Sequence, residues 1–374
     1  MAEMLLSEND VAGASPAQTV SPPRRSFFSS MKRLFADAFL WCALAVLLTA
    51  GAANLAALRQ YPSVSMRYEA SISGLSALSA RKYAIERGGD DVFWPTFWHE
   101  TEALIESEYG KVSAACIFFS GDAALVWPAR YLKGTSPGVT DDGGCALSSA
   151  LARELWGSAD VVGLTVETGD GARTVRGVFE GDDLVVLLCV HGEDTSQIFT
   201  AVELAAGPRH PTKSDAENFA AAAGLGKPDS VLMATPALLA AAMGALPIVI
   251  LIIYGLAVCV GQMREYFAEL KGALLFLVVI AFALLLPGLI DALPDWMIPT
   301  RWSDFSFWGA LIRQIGGNLR EYLTLAPRMR DVTYKILFIK QTGIAFLSAC
   351  CALSICFRRH GRLRRDRLEE PWLT

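Results

Sequence analysis

Four stretches of the chain stay apolar for about the twenty residues that a bilayer crossing requires. They run Phe39–Leu58, Pro236–Val260, Ala273–Leu293 and Ile336–Phe357. Lys340 and Gln341 fall inside the fourth, where a lysine near the membrane face snorkels. Between the first and second stretch the pattern breaks into short apolar runs separated by glycine and aspartate. Thr96 reads as the N-cap of a helix over Phe97–Ser107, with Glu100 and Glu102 in its favourable first turns. Strands are predicted over Lys111–Phe119, over Ala123–Trp127 after the Gly121-Asp122 turn, over Cys145–Leu147 and over Leu184–Val190. Ser148 caps a helix Ser149–Trp156 that Gly157 ends. Leu164–Glu167 and Arg173–Phe179 flank Gly169-Asp170-Gly171 as a hairpin. Ser214-x-x-Glu217 reads as a capping box opening a helix that stops at Gly224. The fold class that follows is an α-helical membrane protein, with four transmembrane helices and a mixed α/β domain inserted between helices 1 and 2.

Basic residues orient the spans. Arg24, Arg25, Lys32 and Arg33 precede the first, Arg264 and Lys271 lie between the second and third, and six arginines from Arg358 to Arg367 follow the fourth. By the positive-inside rule these three places are cytoplasmic. The expected division is a disordered cytoplasmic tail (1–30), helix 1 (31–58), an extracytoplasmic domain (59–235), helix 2 (236–260), a cytoplasmic loop (261–272), helix 3 (273–293), an external segment (294–335), helix 4 (336–357) and a basic cytoplasmic tail (358–374). Helix 1 reads as an uncleaved signal anchor, because its apolar run exceeds a signal-peptide core. The location implied is the plasma (inner) membrane, multi-pass, with both termini inside. The external segment departs from the rule, holding six Lys/Arg against four Asp/Glu. Phe305, Trp308, Ile312, Ile315, Leu319 and Tyr322 recur there at helical spacing, which suits either an interfacial helix or one packed beneath the domain.

Composition agrees: 53% of residues are hydrophobic and 19% charged. Residues 59–235 carry 14 Lys/Arg and 24 Asp/Glu, a net of −10, and the remainder is +5. An acidic domain on a basic anchor argues against nucleic acid as a partner. Cys116, Cys145 and Cys189 are external; the apolar runs around Cys116 and Cys189 favour free buried thiols, with one disulfide open as an alternative. His99-Glu100 lacks the second helix ligand of a zinc protease, since position 103 is Ala. Gly224-Leu-Gly-Lys227 lacks the first glycine and the Ser/Thr of a phosphate loop, and no G-x-S-x-G elbow occurs. The sequence implies no catalytic residue, no cofactor, no metal and no enzyme.

The run Cys145–Gly157, then Asp160–Gly163, then Thr174–Phe179 resembles the extracytoplasmic core domain of MacB-type ABC transporter membrane subunits, a group that includes FtsX-like proteins. The arginine that the family often carries near Tyr131–Gly134 and Asp141 is not matched. The order of one span, a large external domain and three further spans is similar to the same family. The resemblance implies a non-catalytic membrane subunit coupling a separate cytoplasmic ABC ATPase to the external domain, for export or mechanical signalling. Arg264, Glu265, Glu269 and Lys271 of the short second loop would then dock the ATPase. The small residues Gly51, Ala52 and Ala53 and Ala240, Ala241 and Gly244 would pack a dimer, with a second copy or a related subunit, in the lipid bilayer. The shortness of that loop leaves a second reading open: a membrane-anchored binding or sensor protein without ATPase coupling.

Overall fold

The computed structural model describes residues 27–61, 64–88, 93–141, 143–190, 198–205, 212–262, 272, 276–281, 283–284, 295–299, 301, 303, 305–325 and 328–369. In chain order the elements are α1 (Phe27–Leu58), β1 (Val64–Ser73), α2 (Gly74–Arg87), β2 (Trp94–Glu106), β3 (Lys111–Ser120), α3 (Ala123–Val126), β4 (Tyr131–Gly134), β5 (Gly144–Ser148), α4 (Ser149–Trp156), β6 (Thr165–Thr168), β7 (Gly171–Phe179), β8 (Val185–Cys189), β9 (Ile198–Ala205), α5 (Lys213–Ala222), β10 (Ser230–Met233), α6 (Thr235–Gln262), α7 (Phe305–Thr324) and α8 (Met329–Glu369). Among the described residues three helices are long and apolar enough to cross a membrane: Leu34–Leu58, Thr235–Gly261 and Met329–Leu363. The predicted third span lies mostly outside the described residues, although 276–281 and 283–284 are helical. The leading tail to residue 26 and the loop over 263–271 lie outside them altogether.

The strands form one ten-stranded sheet in the order β10-β1-β9-β2-β3-β8-β5-β7-β4, and β6 pairs with both β2 and β7. Pairing is antiparallel except at β3–β8 and β5–β7. Several elements follow from local chemistry. The Ser148 hydroxyl accepts from the Leu151 N–H, and Gly157 ends α4 at φ 70°, where a side chain is strained. Thr168 pairs with Gly171, so Gly169-Asp170 is a two-residue hairpin loop.

Three expectations are corrected. Phe97–Ser107 is not helical; Trp94–Glu106 is a 13-residue strand that pairs with β3 without interruption from Phe97↔Ser120 to Glu106↔Lys111. Phe97 and Trp98 are both fully buried, on opposite faces of the sheet, so the start of this strand shows no alternation to betray it. Thr96 caps no helix; its hydroxyl accepts from the Asp122 N–H. Ala123–Val126 is one helical turn rather than a strand, because the Asp122 carboxylate accepts from the Ala124 N–H. The capping box sits two residues earlier than expected: Thr212 and Asp215 bond reciprocally and α5 opens at Lys213.

Strand alternation sorts β1 into two faces. Val64, Met66 and Tyr68 join Phe199, Val202, Leu204 and the α2 and α5 residues Ala77, Ala80, Ala216 and Phe219 in one core. Ser65 and Arg67 therefore point to the opposite face. Glu203 does the same on β9, between the core residues Val202 and Leu204. Below this face α8 packs against both α1 and α6. Asn54 of α1 donates to the Leu337 carbonyl at 2.9 Å and to Gln341 Oε1 at 3.1 Å, both on α8.

Candidate functional site

The polar face of β1, β9 and β2 receives the first turn of α8, and the contact is ionic. Sheet register brings Ser65 opposite Glu203 and Trp98 opposite Ala201, as Arg67 is on the other side. The Glu203 carboxylate is the centre. It accepts from the Ser65 hydroxyl at 2.7 Å and from Trp98 Nε1 at 2.9 Å. Arg330 of α8 reaches it at 2.9 Å through Nη1 and at 3.2 Å through Nη2. Arg67 lies 3.6 Å from the same carboxylate and donates to Asp331 Oδ1 of α8 at 2.8 Å. These side chains are 0–6% exposed.

Aromatic and hydrogen-bonding contacts around these charges complete the joint. The Trp98 ring lies under Arg67 at 4.7 Å, Arg328 at 5.1 Å and Arg330 at 5.7 Å, so one indole carries three guanidinium contacts. The Glu100 carboxylate on β2 accepts from the Met329 N–H, a free donor of the first turn of α8, at 3.0 and 3.1 Å. Burial pushes the Glu100 carboxyl above the ordinary carboxylate range, against that hydrogen bond. Burial together with neighbouring Arg67 lowers Arg328. Tyr322 of α7 donates to the Asp331 carbonyl at 3.4 Å, and burial raises its phenol. A cavity of about 30 Å³ lies against Tyr61, Ser65, Tyr322, Arg330, Asp331 and Tyr334. Three cations, Arg67, Arg328 and Arg330, face three carboxylates, Glu100, Glu203 and Asp331, so the joint is balanced in charge.

Chemically this arrangement is suited to holding, not to reacting. Desolvating each charge costs several kcal/mol, while removing one partner of such a cluster costs about 3–5 kcal/mol because the rest are left uncompensated. The cluster ties the first turn of α8 to β1 and β9 through Arg67–Asp331 and Arg330–Glu203.

Of the residues predicted from sequence, Arg264, Glu265, Glu269 and Lys271 lie outside the described residues. Gly51 packs against Ile344 and Gln341 of α8, and Gly244 against Gln341. Ala240 is buried with Leu58, Leu232, Tyr322, Tyr334 and Phe338. The structure thus brings Gly51, Ala240 and Gly244 onto contacts within the chain; Ala52 and Ala53 are exposed and Ala241 half-buried. Cys116, Cys145 and Cys189 are buried, Cys116 and Cys145 as free thiols. Burial pushes the Cys145 thiol up to about 12 and Cys116 to about 11, so neither forms a thiolate at neutral pH. His99 is on β2, its ring stacked on Phe118 at 4.9 Å. Among the described residues no group of His, Cys, Asp and Glu is placed to hold a metal ion. The ionic joint is absent from the sequence-based candidates. Its only sequence signals are an arginine inside the apolar alternation Val64–Tyr68 and the Arg328-Met-Arg-Asp331 run in an external segment.

No protein-family model and no curated protein matches the chain. Solved structures do. The fold is similar to the periplasmic region of MacB from Actinobacillus actinomycetemcomitans, at 10% identity and TM-score 0.37, over 46% of this chain and 87% of that one. It is similar to the extracellular domain of the noncanonical ABC-type transporter YknZ from Gram-positive bacteria, at 13% identity and TM-score 0.37, over 46% and 98%. A domain of a permease protein from Porphyromonas gingivalis matches at 16% identity and TM-score 0.29, over 42% and 79%.

Proposed function

We propose that the chain is the non-catalytic membrane subunit of a MacB/FtsX-like ABC system, and that α8 is the element that moves its external domain. The observation that carries this reading is the attachment of α8. The helix is 41 residues long, about 61 Å at 1.5 Å per residue. Its first turn is tied into the sheet by Arg330 and Asp331. Its far end pairs through Arg358 and Arg362 with Asp37 of α1. A continuous helix held in this way passes displacement from one side of the membrane to the other without bending at the joint.

The order of elements supports the same reading, as does the run Cys145–Phe179, which folds as the strand, capped helix and hairpin that the resemblance implies. ATP hydrolysis would belong to a separate cytoplasmic chain, since this one has no phosphate loop. In this reading Arg264, Glu265, Glu269 and Lys271 dock that ATPase, and a second copy or related subunit packs on the exposed Ala52–Ala53 side of α1. Purification of the chain from its native membranes in mild detergent is expected to recover an ABC ATPase. Arg264→Ala combined with Glu265→Ala is expected to lose it. Repeated recovery of the intact chain without any ATPase would favour the sensor reading instead.

A further inference from the structure

α7 is amphipathic, and only half of its apolar stripe is used. At its C-terminal end Leu319 and Tyr322 enter the cluster formed by Leu58 of α1 and Tyr334 and Phe338 of α8. On the other side of the helix Asn318 bonds Thr235 at the start of α6, and Glu321 pairs with Lys213 of the external domain at 3.6 Å. This end is therefore wedged between the domain and the outer ends of the spans. Toward its N-terminus the same stripe is exposed to the surroundings: Phe305 is 84% exposed and Ile312 71%, with Trp308, its ring edge-on to Phe307, 39% exposed between them. At about 100° per residue these three side chains fall within an arc of roughly 60°. Arg313 and Arg320 lie together along one edge of the arc and are exposed.

We infer that the N-terminal half of α7 lies in the outer membrane–water interface, with Phe305, Trp308 and Ile312 among acyl chains and Arg313 and Arg320 at the phosphates. Three observations select lipid as the occupant. The stripe continues out of a cluster built on the ends of the membrane helices, which sets α7 at the bilayer surface. The charge along this edge complements phosphate, because Glu321 is neutralised by Lys213 and, among the described residues, no carboxylate pairs with Arg313 or Arg320. The bare area is one face of a few helical turns, small beside the roughly 1,200 Å² that a specific protein interface takes. Membrane-surface helices carry this combination of an apolar face and adjoining basic residues. Since the Tyr322 hydroxyl bonds the Asp331 carbonyl, the lipid contact also fixes the height of the ionic joint above the bilayer.

The inference rests on α1, α6 and α8 crossing a bilayer and not on ATPase coupling. A photoreactive benzophenone residue is placed at Ile312, at Gln314 or at Phe346, the last 68% exposed in the middle of α8. Each full-length variant is reconstituted in vesicles of equimolar phosphatidylcholine and phosphatidylglycerol, irradiated and analysed by mass spectrometry. Lipid adducts are expected at 312 and 346 and not at 314, and Arg313→Gln with Arg320→Gln reduces the adduct at 312. A lipid adduct at 346 with none at 312 overturns the inference, as does a protein–protein adduct at 312, which marks a second copy. No lipid adduct at either 312 or 346 overturns the membrane reading itself.

Discussion

The two ends of α8 use the same chemistry with different consequences. At the end that meets the sheet, arginines and carboxylates meet with side chains 0–6% exposed. At the other end Asp37 is 23% exposed and its partners Arg358 and Arg362 are 50% and 54%. Exposed pairs are screened by water and salt and lose little when broken, whereas buried charges have nowhere else to go. One end of the helix is therefore a clamp and the other an adjustable contact. Under the proposed function that asymmetry suits a lever, with the domain held firmly at one end of α8 and a more adjustable contact at the other.

The largest effect is expected from Glu203→Ala, which strands Arg67 and Arg330 together. The expected loss is about 3–5 kcal/mol of stability in denaturant unfolding followed by tryptophan fluorescence. Combining Glu203→Leu with Arg67→Met and Arg330→Met should restore most of it, because apolar packing replaces the desolvated charges. Next, a double-mutant cycle on Arg67 and Asp331 should give a coupling energy of about 0.5–3 kcal/mol, as for directly bonded neighbours. Asp37→Asn should cost no more than about 1 kcal/mol, and the cost should vanish in high salt. A cost at Asp37 equal to that at Glu203 would erase the comparison.

The smallest effect is a pH slope. Burial raises the Glu100 carboxyl, so the folded chain holds that proton more tightly than the unfolded one. The resulting stability is fully present below the ordinary carboxylate range and is lost as pH rises through the raised folded value. Glu100→Gln should flatten the pH dependence of unfolding in that window; an unchanged slope would assign it to other groups.

How much of this was legible in the sequence follows from the distance over which each signal acts. The capped helix α4, the Gly169-Asp170 hairpin and the apolar spans are written within a few residues of themselves, and all three were readable. β2 was misread because Thr96 and two glutamates mimic a helix start. Its strand character comes from β3 and β9, which flank it on both sides. The joint was unreadable for the same reason in stronger form. Arg67 and Asp331 are 264 positions apart, and Ser65 and Glu203 are 138 apart. Sheet register brings Ser65, Arg67 and Glu203 to one face, and the packing of α8 on that face supplies Asp331. Gly51 and Gly244 were noticed as small residues, but the partner that uses them, Gln341 of α8, is a tertiary fact.

The central claim is that the external domain and α8 move as one body. Spin labels at Glu69 on β1 and Val332 on α8, both exposed, measure this directly in the full-length chain in lipid nanodiscs, with the ABC ATPase that the proposed function calls for, before and after ATP is added. The account predicts one narrow distance distribution that ATP leaves unchanged, and a broadened one in the Glu203→Leu, Arg67→Met, Arg330→Met chain. A distance that shifts or broadens with ATP in the unmodified joint would show that the domain pivots on α8, and the rigid connection argued for here would be wrong.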